Sequence, residues 1–460
     1  MIPAKSISIS IYGSAIVAVT ITALVDLGLI YVDPLITPVL RWISIAGFSY
    51  LAWKRKSLTT WILFSMVIGA EFGHDFPVVA SEFKIVSKIF LKLIKTIIAP
   101  LIFGTLVVGI AGHANLKQVG RMGWKSLLYF EVATTIALLI GLLAINISKA
   151  GMGITLPPHT DASSLGVPPP SGWEEIILHI FPENIAKSIA DGQVLQIVVF
   201  SILFALGLAF VKEPHKQTML KFCESLTEVM FKFTGIVMYF APFAVGAAIA
   251  YTVGHMGIGI LANLFKLLAT LYVALTVFIL LVFLPVALII KLPIKRFIKA
   301  VLEPATIAFS TTSSEAALPK ALENMEKFGV PRKIVAFVLP AGYSFNLDGS
   351  TLYLSLAAVF VAQAAGVHMS FGEQILMLLT LMLTTKGIAG VPRASLVILM
   401  GTVSAFHLPM EPVFLILGID ELMDMARTSV NLIGNCLAST VIARWEGEET
   451  YNDPGNREFS

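Results

Sequence analysis

The sequence predicts an all-α integral membrane protein. Hydrophobic residues fill 57% of 460 positions and charged residues 13%, too little charge to cover a soluble globule. Apolar runs long enough to cross a bilayer recur along the chain, and polar islands interrupt them mainly in its second half. The formal net charge of +3 is too small to argue for nucleic acid.

From the N-terminus, Met1 to Ser10 carries one lysine, and the apolar run from Ile11 to about Tyr31 is long enough to span rather than to serve as a cleavable signal. Further apolar segments lie near 35–53, 59–79, 86–112, 124–148, 193–212, 228–252, 260–290, 334–366, 372–405 and 411–443. Several exceed the roughly 20 residues that cross a bilayer, so tilt, kinks or re-entrant turns must absorb the excess. Cations gather at Lys54, Arg55 and Lys56, at Lys117, Arg121 and Lys125, and at Lys291, Lys295, Arg296 and Lys299, ends that the positive-inside rule makes cytoplasmic. The first cluster implies one or two extra helices within residues 1–56, although Arg41 speaks against the second.

Lys84, Lys88, Lys92 and Lys95 share one helical face and read as snorkelling side chains or as a surface that recruits solute. The stretch from Gly151 to Trp173, with Pro157, Pro158 and Pro168 to Pro170, reads as an aqueous loop. Cys223 and Cys436 sit in apolar runs and read as buried thiols rather than a disulfide. Residues 446–460 read as a solvated polar tail.

The chemistry concentrates in three polar islands, FSTTSSEAALP at 309–319, NLDGST at 346–351 and DMARTSVNLIGN at 424–435, and in a break at Gly387–Ser395. Ser310 to Glu315 are six consecutive polar residues before Pro319, a pattern that fits a hairpin entering the membrane and turning back. Gly387 to Ser395 (GIAGVPRAS) breaks another apolar segment in the same way. Paired interrupted segments point to a transporter site, because half-helix termini and freed backbone groups can face a solute; two kinked ordinary helices are the competing reading. The most specific island places Asp424, Arg427, Thr428 and Asn431 at i, i+3, i+4 and i+7, on one helical stripe. An acidic amino acid needs an anion for its ammonium, which Asp424 offers, and a planar fork for its side-chain carboxylate, which Arg427 offers. An internal Asp424/Arg427 ion pair that only fastens helices is the alternative.

The strings STTSSEAALP, GYSFNLDGS, GIAGVP and GIDELMDMARTSVNLIGN resemble, in order, the signature of the dicarboxylate/amino acid:cation symporter family, the glutamate transporter homologues. The resemblance covers about residues 57–445. It implies an elevator fold with eight core transmembrane helices and two re-entrant hairpins, about 297–327 and 371–408. Scaffold parts fall at about 57–113 and 175–252, and transport parts at about 117–148 and 258–445. A homotrimer in a bacterial inner membrane is implied as well.

Position by position, the resemblance makes Ser313, Ser314, Ser350, Val391, Ser395, Asp424, Arg427, Thr428 and Asn431 solute contacts. Asn346 and Asp348 fall in its N-x-D-G-T motif, with Ser350 in place of the threonine. The chain departs from sodium-coupled members at Phe130, Ala133 and Asn435, where oxygen ligands for a hard cation are expected. Glu315 on the first hairpin and Glu131 on the third core helix are natural proton carriers instead. With Asn346, Asp348 and Asn435 they form the candidate coupling set. Arg393, where the gate commonly has glycine, is either a second carboxylate clamp or a snorkelling tip.

The expected function is symport of glutamate or aspartate with protons, with C4-dicarboxylates or sodium coupling as alternatives. No cofactor and no metal site is expected. A channel would need a filter, and no TVGYG-like segment exists. An enzyme would need a nucleophile beside a base, yet the eight histidines are scattered, and His255 and His368 read as helix-end residues.

Overall fold

The computed structural model describes residues 17, 21, 33, 36–55, 57–111, 116–154, 181–190, 194–385 and 394–448. The expected span near 11–31, most of the proline-rich loop, the tip of the second hairpin with Val391 and Arg393, and the tail beyond Glu448 lie outside the described residues.

Every regular element among the described residues is a helix. The first are α1 (Ile36–Arg55), α2 (Leu58–Asp75), α3 (Pro77–Ser81), α4 (Lys84–Ala111), α5 (Leu116–Ser148) and α6 (Ile185–Ala190). Then come α7 (Val194–Ala209), α8 (His215–Met238), α9 (Ala241–Met256), α10 (Ile260–Phe278), a π-helical turn Ile279–Phe283 and α11 (Leu284–Ile289). The last third holds α12 (Ile294–Thr311), α13 (Ser314–Phe328), α14 (Arg332–Phe345), α15 (Asp348–Ala364), α16 (Phe371–Thr384), α17 (Ala394–Ala405) and α18 (Glu411–Glu446). Among the described residues, four helical stretches, three of them made of consecutive helices, are long and apolar enough to cross a membrane: Pro77–Val108, Met122–Ser148, Ile260–Ile289 and Arg332–Ala364. This helix content is consistent with a multi-pass membrane protein.

The breaks in the long apolar runs have local causes. Pro285 removes the donor for the carbonyl four residues before it, inside the π-helical turn, and a widened turn is how a helix absorbs that loss. The 334–366 run divides at Asn346 and Leu347 into α14 and α15, so one expected span holds two helix ends at membrane depth.

The described chain clusters into two compact units. One takes in the described residues up to Leu91, Met238–Leu261 and Leu417–Glu421. In it α2 packs on α9 through small residues: a Cβ on Gly69 would strike the Gly246 carbonyl, and one on Gly73 would lie 2.5 Å from the Ala250 carbonyl. Helices in lipid approach this closely because dispersion contacts and not the hydrophobic effect join them. Ser87 adds a hydrogen bond to the Ala244 carbonyl at 2.9 Å, and Lys84 lies over the Tyr251 ring at 5.2 Å. Lys88, Lys92 and Lys95 are exposed.

Arg41 lies within α1, which forms as a helix but is not among the described stretches long and apolar enough to cross a membrane. Ser57 caps α2, accepting from the Thr60 N–H at 3.3 Å, and folds α1 and α2 into an antiparallel pair. Arg41 and the acids Glu71 and Asp75 stand at matching distances from that turn. Arg41 Nε donates to Glu71 Oε1 at 2.5 Å and its Nη2 to Asp75 Oδ1 at 3.0 Å, while Trp42 Nε1 donates to Asp75 Oδ2 at 2.9 Å. The charge is carried into the helix pair together with its counter-charges.

The other unit takes in Lys92–Val237, Ala262–Ile416 and the described residues from Leu422. Its axis is α15, buried along almost its whole length from Asp348 to Ala364 and packed against α5. Gln363 fastens the end of α5, donating to the Ile145 carbonyl at 3.3 Å and accepting from the Gly151 N–H at 3.2 Å. A separate cluster of Val107, Ala111, Ala205, Leu208, Leu220 and Cys223 joins α4, α7 and α8. Both cysteines are free and buried.

Arg41→Ala leaves Glu71 and Asp75 without their counter-charge and should cost about 3 kcal/mol, read as a lowered melting temperature in detergent. Adding Glu71→Gln and Asp75→Asn to it should restore most of the loss. Parent-like melting of the single variant refutes the charge argument.

Candidate functional site

Two arrangements in the second unit gather the polar side chains of the expected site: a hairpin and a crossing of helices. The hairpin is α12 and α13, turned at Thr312, which adopts the left-handed conformation (φ 51°), and at Ser313, the N-cap of α13. Its hydroxyls meet the needs of that turn. Ser310 and Thr311 donate to the Ile307 carbonyl at 3.1 and 2.7 Å, and Ser313 Oγ accepts from the Ala316 N–H at 3.2 Å. Much of the hydroxyl richness that marks this stretch therefore closes a helix end. Ser314 is buried and Glu315, in the first turn of α13, is exposed.

The crossing is α18 over the broken α14/α15 segment. Its central group is Asp424, whose Oδ1 accepts from Arg427 Nε at 2.8 Å and from Thr428 Oγ1 at 2.9 Å. All three are buried, with Arg427 0% exposed. The guanidinium lies over the Tyr353 ring at 4.2 Å, where the face of the ring attracts a cation shielded from water. Asp424 and Arg427 thus form a buried ion pair, a contact that both sequence readings of the stripe allow.

Asn431, one turn further along the stripe, caps α15 from outside. Its Oδ1 accepts from the Gly349 and Ser350 N–H groups at 2.8 and 3.2 Å, and its Nδ2 donates to Ser350 Oγ at 3.0 Å. Leu347, the N-cap residue itself, has no side chain that can do this. Asp348 opens α15, where a carboxylate suits the positive end of the helix. Asn346 Nδ2 donates to Asp348 Oδ2 at 3.2 Å and to Asn435 Oδ1 at 3.0 Å, and the three residues are fully buried.

The structure thus brings together Asp424, Arg427 and Thr428, then Ser350 with Asn431, then Asn346 and Asp348 with Asn435. Ser313, Ser314, Glu315 and Ser395 make no hydrogen bond to these groups among the described residues. Ser395 is buried in the first turn of α17, which packs on α15. The first arm of the second hairpin, α16, is tied to α5 by Asn146 Nδ2 donating to Gln374 Oε1 at 2.8 Å. Glu131 is half-buried on α5, beside the buried Phe130.

Sequence reasoning missed Tyr353, which an aromatic in an apolar run does not advertise, and the buried carboxylates of Asp420 and Glu421. The last two were visible as two acids one turn before Asp424. The five polar or charged residues from Asp424 to Asn431 drew attention away from them.

A family model described as the sodium:dicarboxylate symporter family matches residues 58–445. The chain is similar to a proton/sodium-glutamate symport protein of Bacillus caldotenax, 41% identical over 415 residues that cover 89% of this chain and 97% of the relative. It is similar to a proton/glutamate-aspartate symporter of Escherichia coli (strain K12), 41% identical over 415 residues, covering 85% and 93%. A C4-dicarboxylate transport protein of Bacillus subtilis (strain 168) is 39% identical over 405 residues, covering 85% and 94%.

The crossing depends on Gly349, where a Cβ would lie 2.5 Å from the Arg427 carbonyl oxygen and 2.9 Å from its Cα. Both atoms are backbone, so Gly349→Ala must push α15 away from α18. Its melting temperature should fall by several degrees and Arg427 should leave the Tyr353 ring. A variant with parent stability and parent solute uptake refutes the tight crossing.

Proposed function

The chain belongs to the sodium:dicarboxylate symporter family, and from that premise we propose that it is a secondary active symporter importing aspartate or glutamate with protons. The observation that carries this reading is the buried Asp424–Arg427 pair, 2.8 Å apart and set against Tyr353. Breaking such a pair is costly unless each charge receives a new partner at once. An acidic amino acid brings both partners: its side-chain carboxylate takes the guanidinium while its ammonium takes Asp424. Neither Asp424 nor Arg427 is then left buried without a partner, and the second carboxylate of the solute is the net negative charge that remains. A C4-dicarboxylate has no ammonium and would strand Asp424, and for that reason the dicarboxylate reading ranks second.

The solute is a net anion, so a cation must accompany it through the apolar barrier. A proton is favoured over sodium because Asn435, Phe130 and Ala133 stand where side-chain oxygen ligands for a hard cation are expected, and Asn346 Nδ2 is hydrogen-bonded to Asp348 Oδ2 and Asn435 Oδ1. Glu315 and Glu131 are the proposed proton carriers, in that order. Ser313, Ser314, Ser350, Val391, Ser395, Thr428 and Asn431 complete the proposed solute site, with Arg393 a possible second clamp. An elevator motion within a homotrimer of a bacterial inner membrane is part of the same reading.

Proteoliposomes should concentrate labelled aspartate or glutamate better than succinate. Arg427→Ala should weaken acidic solutes more than a hundredfold, about 3 kcal/mol, since the carboxylate would be buried without its partner. Succinate uptake that survives Asp424→Ala, with no aspartate uptake by the parent, turns the assignment to dicarboxylates.

A proton gradient should drive concentrative uptake in the absence of sodium, and Glu315→Gln should flatten its pH dependence. Concentration of solute by a sodium gradient at equal pH on both sides reverses the choice of ion.

A further inference from the structure

The first hairpin is closed on itself by contacts between its arms. At its base the Phe297 and Phe328 rings meet edge to face at 5.8 Å, with Arg296 over Phe328 at 5.7 Å. Midway, Pro304 deprives the Ala300 carbonyl of its intrahelical donor, and Asn324 of the opposite arm supplies one at 2.8 Å. Asn324 is buried, so this hydrogen bond replaces what water could not provide. Lys320 spans the arms nearer the tip, 3.4 Å from Glu303. Held in this way, the two arms move as one body.

That body is joined to α18 by one further hydrogen bond. Ser429 Oγ donates to the Ala305 carbonyl, the residue after Pro304, at 3.0 Å. Helical serines and threonines ordinarily donate back to their own helix, and on α18 itself Ser439 and Thr440 do so, to Cys436 and Leu437 at 2.7 Å each. Ser429 instead donates outward, to another element. It directly follows Thr428, whose hydroxyl holds Asp424. Ala305 lies about two turns, roughly 10 Å, before the hairpin tip.

We propose that Ser429 is a positioning residue, which sets the first-hairpin tip with Ser313 and Ser314 against Asp424 and Arg427 by holding the Ala305 carbonyl. The proposal rests on the reading of the Asp424–Asn431 stripe as the solute site. In that site one wall is α18 and the other is the tip, and a ligand bridging them binds best when their separation is already fixed. Removing the hydroxyl lets the hairpin drift on its kink without altering any group that touches solute. Affinity falls while the rate of the loaded carrier is retained.

The test is solute uptake by the full chain in proteoliposomes, with Ser429→Ala, Ser429→Thr and Arg427→Ala compared with the parent. Ser429→Ala should raise the KM for aspartate about fivefold, one neutral hydrogen bond, with Vmax within about twofold. Ser429→Thr, which keeps the hydroxyl, should return KM to the parent value. An unchanged KM in Ser429→Ala overturns the proposal, as does a joint loss of KM and Vmax that Ser429→Thr fails to rescue, since that would mark a role in folding alone. The Arg427→Ala arm separates the two layers of the argument. If Arg427→Ala transports normally, the solute-site reading itself fails; if it is inactive and Ser429→Ala is normal, only the positioning role is lost.

Discussion

The structure is governed by the need to satisfy polar groups where no water can reach them. In a bilayer an unpaired carboxylate or a free carbonyl costs several kcal/mol, so each polar residue in the second half of the chain has to be seen with its partner. Asp424 is held by Arg427 and Thr428, the start of α15 by Asn431, and the Ala300 carbonyl by Asn324. Even the first unit follows the rule, with Arg41 shared between Glu71 and Asp75. These pairings permit helix ends and proline kinks inside a membrane segment. Backbone opened in this way is what a solute needs to meet.

The constraint also explains what the sequence could announce. Helical class was legible from apolar content, and the Asp424, Arg427, Thr428 and Asn431 stripe from spacing alone, because a helix brings i, i+3, i+4 and i+7 together whatever surrounds it. The polar run NLDGST marked a break within the 334–366 segment, but not its partners, since its two helix ends are satisfied by α18, distant in sequence. The partners of Arg41 were hidden for the same reason, since they lie beyond a turn. Tyr353 and Asn324 share this invisibility: each acts through a contact that spacing within its own helix cannot show.

The hydroxyl-rich tip shows a subtler limit. The run Ser310 to Ser314 marks the hairpin correctly, yet Ser310, Thr311 and Ser313 are engaged by the turn's own backbone. A polar island in an apolar sequence therefore reports first that the helix is interrupted there, and only second that a ligand is met. The stripe on α18 differs, because its residues lie in an unbroken helix that makes no such demand. Asn431 is nonetheless engaged on the α15 terminus, so the residues left with charge to exchange are Asp424 and Arg427.

A self-neutralised pair has a consequence for selectivity. On the reading of Asp424 and Arg427 as solute contacts, the two charges cancel one another while paired, and a solute must match both to part them without stranding one. A lone carboxylate could take Arg427 only by leaving Asp424 buried and unpaired, and a lone amine the reverse. Each half-match is penalised by the desolvated charge it abandons, which is a larger penalty than a methylene in the pocket can impose. On the proposed reading the pair sets zwitterionic against simple dianionic solutes, while the choice between aspartate and glutamate, which differ by one methylene, falls to the walls that fix how far apart the two charges must be.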